Sequence, residues 1–122
     1  MAATVDITLA DYSAANKTFT PSITVKNGYQ YNDTSSTVAS PRTVQIKHTM
    51  LAANAASGSD VHSVSFGHTV LDTAGKPQTA VVGVTFRVPR AGPTLGNRRD
   101  LWTFVKNFLT DTNVEKLLIG GF

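Results

Sequence analysis

The chain is predicted to fold as an α+β protein in which an antiparallel sheet comes first and two helices come last. Three observations lead there. Segments 42–52, 60–72 and 79–89 alternate apolar with polar residues, the period of a strand with one buried face. The links between them, AANAASGS and DTAGKPQ, have turn composition and hairpin length. Past residue 97 the period changes: Leu101, Phe104, Val105, Phe108 and Leu109 recur at three- and four-residue intervals, a helical stripe.

The elements follow in order. Residues 3–10 and 17–26 carry Val5, Ile7 and Leu9, then Phe19, Ile23 and Val25, around DYSAAN, which predicts an amino-terminal hairpin. Pro21 removes a backbone donor inside the second run and argues for an edge strand. KNGY is a turn signal, a short strand follows through Gln30 to Asn32, and the serine-threonine run 34–37 reads as loop. Tyr29 and Tyr31 read as surface residues beside that loop.

In segment 42–52, Val44, Ile46, His48 and Met50 form the inward set and Thr43, Gln45, Lys47 and Thr49 the outward one. In 60–72, His62, Val64, Phe66, His68 and Val70 oppose Val61, Ser63, Ser65, Gly67 and Thr69. In 79–89, Ala80, Val82, Val84, Phe86 and Val88 oppose Thr79, Val81, Gly83, Thr85 and Arg87. Asn97, with Asp100 three positions on, is the expected cap of the first helix. Thr112 with Glu115 repeats that spacing ahead of Val114, Leu117 and Leu118, and Gly120–Gly121 is the expected stop. One domain over 1–122 results, with a hairpin at 1–26, a sheet over 28–89 and helices over 97–119.

Composition narrows the function. With no cysteine there is no disulfide framework, thiolate nucleophile or thiolate metal site. The formal charge of +3 leans toward an acidic partner. The amino terminus has no unbroken apolar stretch of the kind that targets a chain for export, and nothing approaches a membrane span. The sequons NKT and NDT read as chance. P-loop, HExxH and GxSxG motifs are absent, so no enzyme is expected and no cofactor is called for. His62 and His68, six apart on one strand, stand roughly 20 Å from each other, too far for one ion. All three histidines are therefore expected as hydrogen-bonded core or interface residues, with no metal site. Asp33, Asp60 and Asp72 are expected in solvated loops.

Two inferences concern faces. Five or six strands make a sheet roughly 25 Å wide, while one helix about 10–12 Å across covers about half of it. A second copy of the chain is the simplest cover for the remainder, which predicts a homodimer. The outward set Thr43, Gln45, Lys47, Thr49, Ser63, Ser65, Thr85 and Arg87 contains no acid. Many antiparallel sheets simply leave such a face to water. Cations among hydroxyl and amide groups also suit phosphate and sugar contacts.

The order of hairpin, meander and two terminal helices resembles the coat proteins of single-stranded RNA bacteriophages, the levivirus group. The likeness is clearest in TAVVGVTFRVP running into NRRDLWTFVKNFLTDTNVEKLLIGGF, and in the paired RTVQIKHTM and DVHSVSFGHTV. It spans nearly the whole chain and is one of layout and texture. It implies an interlocked dimer with a ten-stranded sheet, in which Leu101, Trp102, Phe104, Val105, Phe108, Leu109, Leu117 and Leu118 meet the partner. It also implies an icosahedral shell, usually T=3, assembled in the bacterial cytoplasm around single-stranded genomic RNA. The eight outward residues would bind that RNA, and a genomic hairpin as operator would repress replicase translation. The loop at Asp72, Gly75, Lys76 and Pro77 would gather around the symmetry axes. One departure stands out: Val81 and Gly83 occupy the stretch where well-known members place a base-stacking aromatic.

Two readings remain at this level. One is a self-assembling coat subunit; the other is a small dimeric RNA-binding module that forms no shell.

Overall fold

The computed structural model describes residues 5–121. Residues 3 and 4 of the expected first strand therefore lie outside the described residues. Six strands run in sequence order across one antiparallel sheet: β1 (Ile7–Ala10), β2 (Asn16–Val25), β3 (Gly28–Asp33), β4 (Arg42–Thr49), β5 (Ser59–Leu71) and β6 (Pro77–Pro89). Two helices follow, α1 (Leu95–Phe108) and α2 (Asp111–Leu118). The α+β class and the meander are as the sequence predicts.

Turn chemistry explains most of the connections. Asp11 Oδ1 accepts from the backbone N–H groups of Ser13 and Ala15, both at 3.0 Å, and closes the β1–β2 hairpin around Ala14 at φ 65°. Asn27 at φ 66° makes the two-residue turn into β3. A Cβ on Gly28 would fall onto the carbonyl oxygen of Ile46, so only glycine lets β3 and β4 meet there. Asp72 Oδ1 accepts from Ala74 and Lys76 N–H, both at 2.9 Å, so the β5–β6 turn occupies only residues 72–76. Pro77 and Gln78, expected in the connection, already belong to β6.

Several expectations are corrected. Pro21 is not on an edge strand, since β2 lies between β1 and β3. Thr34 N–H donates to Thr18 O at 3.0 Å, and antiparallel alternation then turns the Pro21 nitrogen away from β3. It faces the β1 side, where β1 starts only at Ile7, opposite Phe19. The missing donor breaks no ladder bond, and a bulge follows between Pro21 and Ile23. β4 stops at Thr49 instead of 52 because the Leu51 N–H turns to Asp60 Oδ1 at 2.8 Å. Tyr31 is no surface residue: it is buried with Phe19 and Val44 in the core, against which Tyr29, Ile7, Ile46 and Val64 pack. Asp33 and Asp60 lie in β3 and β5, not in loops.

The helix caps also differ from expectation. Thr94, not Asn97, caps α1: its hydroxyl accepts from Asn97 N–H at 3.1 Å, while Asn97 Oδ1 accepts from Thr94 N–H at 2.9 Å. Thr110, not Thr112, caps α2 through Asn113 N–H at 3.3 Å. Asp100 and Glu115 are consequently exposed residues inside their helices, not capping partners. The predicted stop is observed. Gly120 at φ 71° donates to Leu117 O at 3.1 Å and Gly121 to Lys116 O at 2.7 Å, a Schellman motif.

Burial is lopsided. Along one rung of the apolar face exposure climbs from Tyr31 (7%) and Val44 (1%) to Phe66 (38%) and Val82 (69%). Neither helix contains a buried residue. No residue of α1 or α2 belongs to the core cluster or packs against it, so the helices cover little of the chain's own sheet. A groove of about 610 Å³ remains between them, walled by Val64, Val84, Phe86 and Val88 of the sheet and Leu101, Trp102, Val105 and Leu109 of α1.

Candidate nucleic-acid interface

Strand register assembles the outward residues into rungs. Gln30, Gln45, Ser65 and Gly83 align across β3 to β6; Gly28, Lys47, Ser63 and Thr85 form the next rung. Asn32, Thr43, Gly67 and Val81 flank them on one side, and Thr49, Val61 and Arg87 on the other. All eight expected residues therefore share one face of contiguous strands. Gln30 and Asn32 join them, two residues the sequence analysis did not include. The signal was present in GYQYND, where both alternate with the core tyrosines Tyr29 and Tyr31.

Polar side chains on this face are tied to one another. Gln45 Nε2 donates to Gln30 Oε1 at 2.9 Å, and Gln30 Nε2 to Asn32 Oδ1 at 3.4 Å. At the hairpin end, the hydroxyls of Thr69 and Thr79 lie 2.8 Å apart. Lys47 and Arg87 are both exposed. Two strand spacings and a two-residue offset set their Cα atoms about 12 Å apart. Because β6 is the edge strand, Thr85 and Arg87 also reach the groove beside α1.

The sheet's acids lie on the opposite side. Asp33 and Asp60 are the aspartates of the described strands, and register puts both on the apolar face. Asp33 is buried, 2% exposed, with Arg42 Nε 3.1 Å from its Oδ2 in an ion pair that lacks hydrogen-bond alignment. Burial pushes its carboxyl up. The Ser35 backbone and hydroxyl hydrogen bonds, with the charges of Arg42 and Lys17, outweigh that and hold it below the usual carboxylate range. Asp60 is held low chiefly by hydrogen bonding to Arg90, then by the Leu51 N–H. Arg90 Nε reaches Asp60 Oδ2 at 2.9 Å and Nη2 reaches Oδ1 at 3.1 Å. The same guanidinium donates to Leu51 O at 3.1 Å, fastening the loop between β4 and β5. The outward face of β3 to β6 is left acid-free, with Lys47 and Arg87 as its cations.

The histidines divide. His68 lies 3.3 Å from Ser40 Oγ on the apolar face. His48 and His62 pair across strands with their Nδ1 atoms 2.7 Å apart. His48 is exposed, not enclosed in the core. Among the described residues no group of three or more His, Asp or Glu side chains could hold a metal ion. No helix among them is long and apolar enough to cross a membrane. Among the expected inter-subunit residues, Leu101, Phe104 and Leu118 are well exposed and Trp102 lines the groove. Asp72, Gly75 and Lys76 form the tip of the β5–β6 hairpin, and Pro77 opens β6.

A meander of six antiparallel strands followed by two terminal helices is the fold of coat proteins from levi-like RNA bacteriophages. Among solved structures, the chain is similar to the virus-like particle of bacteriophage GQ-907, with a TM-score of 0.76 and 18% identity over 93% of this chain and 88% of that one. It is similar also to the virus-like particle of bacteriophage AVE019, at 0.64 and 20% over 100% and 98%. The coat protein of bacteriophage EMS014 matches at 0.66 and 18% over 88% and 74%. No protein-family model and no curated protein matches the chain.

Proposed function

We propose that this chain is the coat subunit of a levi-like phage particle, a structural protein that dimerises, closes into an icosahedral shell and packages single-stranded RNA. One observation supports this most directly: α1 and α2 bury none of their apolar residues, while the β5–β6 end of the sheet's apolar face stands open. A second copy offers the matching surface, helices for sheet and sheet for helices, in a two-fold exchange. Val82, Phe86, Leu101, Trp102, Phe104 and Leu109 would be covered together. Pairing also doubles the acid-free face, placing two Lys47 and two Arg87 side chains on one surface toward RNA.

That surface suits general RNA contact better than tight reading of one hairpin. Its rungs supply amides, hydroxyls and cations, but β3 to β6 carry no aromatic there to stack a base. A genomic hairpin as operator for replicase repression is the narrower form of the same proposal.

Electron microscopy of the purified protein is expected to show uniform particles containing nuclease-protected RNA. Dimers without particles would favour the non-assembling RNA-binding module, and a stable monomer would overturn both. The double variant K47E/R87E is expected to keep its dimers and lose most encapsidated RNA, read from the ratio of absorbance at 260 and 280 nm. Unchanged RNA content would remove this face from consideration.

A further inference from the structure

We propose that His48 and His62 form a proton-limited contact that loosens pairing between two copies of this chain as pH falls from about 7.5 to about 5. The inference rests on the two-fold exchange proposed above. The sheet builds the contact. His48 N–H donates to Asn27 O at 2.8 Å, on the β3 side. Toward β5 it therefore occupies a non-hydrogen-bonded position, where opposed side chains come closest. The ring centroids stand 5.0 Å apart and the two Nδ1 atoms 2.7 Å apart, a head-on N–H···N hydrogen bond.

Such a bond needs one Nδ1 that carries a hydrogen and one that does not. A neutral pair meets that need, and so does a pair with one charged ring. With both rings charged, both nitrogens are donors, no acceptor is left, and two cations meet head to head. The contact therefore admits at most one positive charge. Histidine is the side chain whose charge ordinarily changes between pH 5 and 8, so the limit is met within that range.

Location turns the limit into a device. His48, His62 and Phe86 make one rung of the apolar face, and Phe86 also walls the groove that a second copy would cover. In the lone chain His48 is exposed, so parted rings turn into water and folding of the subunit is indifferent to them. Beneath a second copy they would turn into the space it fills and carry charge into a site without water. Charged neighbours offer no relief. Asp60, two residues before His62 on the same face, is engaged by Arg90 and the Leu51 N–H. Ile46 of β4, Val64 of β5 and Val88 of β6 carry no charge. Lys26 in the β2–β3 turn and Arg98 and Lys106 of α1, which line the groove, are cations themselves. The covered pair thus binds fewer protons than the open one, so association is favoured at neutral pH and weakens as pH falls.

The test sediments the purified protein across a dilution series at pH 7.5 and pH 5.0, at constant ionic strength. Asp11, Asp33, Asp60 and Asp72 are all held below the usual carboxylate range and stay ionised at both values. The concentration that associates half the chains is expected to rise at least tenfold at pH 5.0. In H48Q and in H62Q, where a neutral amide replaces one ring, the rise should be less than threefold, while H68Q should behave as wild type. Circular dichroism at both pH values verifies that the variants remain folded. A monomer at pH 7.5 would overturn the paired reading and this inference together. Pairing at pH 7.5 that is equally tight at pH 5.0, or that weakens as much in H48Q, would overturn this inference alone.

Discussion

Asp33 and Gly28 carry more of the fold than their size suggests. Asp33 is an acid in the apolar layer, held ionised by Ser35 and by Arg42, whose side chain is about one-third exposed. Its folded-state pKa is depressed, as are those of Asp11, Asp60 and Asp72. A depressed carboxylate contributes stability above its unfolded pKa, near 3.9, and that contribution is lost as pH falls through the folded value. Urea midpoints are therefore expected to be flat above about pH 5 and to fall steeply below about pH 4. R42M should lower stability by about 2 kcal/mol, less than for a fully enclosed pair because water reaches the guanidinium. Gly28→Ala should destabilise the fold although propensity alone would favour alanine in a strand by roughly 0.5–1 kcal/mol, since β3 and β4 must separate to admit the methyl group. Chemical denaturation checks both.

At the scale of elements, the strands with strict alternation were legible almost to their ends, because burial on one side writes itself at every second residue. What the sequence hid was decided by distant partners. β4 ends early because Leu51 answers to Asp60 and Arg90, up to 39 residues away, and no local pattern announces that clamp. The α1 cap is hidden in the sequence for a chemical reason: Thr94 is reciprocated by asparagine, where the usual partner is glutamate or glutamine. The acid-free outward rungs are legible by parity on β4 to β6 and hidden on β3, whose tyrosines read as surface residues beside a loop. The His48–His62 contact was invisible for the converse reason, since spacing along one strand says nothing about a neighbour across it. T94A should lower stability by about 1 kcal/mol. F104S, at a helix position 65% exposed in the lone chain, should leave subunit folding intact and weaken self-association by about 2 kcal/mol, near 30-fold in sedimentation.

For the whole molecule, the division of charge between two faces matters more than the net value of +3. Both strand aspartates sit with the apolar residues, so the opposite surface presents cations without compensation. Two such cations per chain would give four in the proposed dimer. For single-stranded RNA, the logarithm of affinity should fall against the logarithm of salt with a slope of about −3 per dimer. Filter binding of a short unstructured RNA across a salt series measures it. The slope should approach zero in K47E/R87E, and a steep slope surviving there would place the RNA on another surface.

Helices that shield so little within their own chain would make concentration a folding variable once two copies pair as proposed. Such a polypeptide should melt at higher temperature the more of it there is, because each meeting of two copies removes greasy surface that neither can hide alone. Scarce subunits would linger half-finished and adhesive, and abundant ones would complete each other, so the quantity a cell produces would itself decide when construction begins.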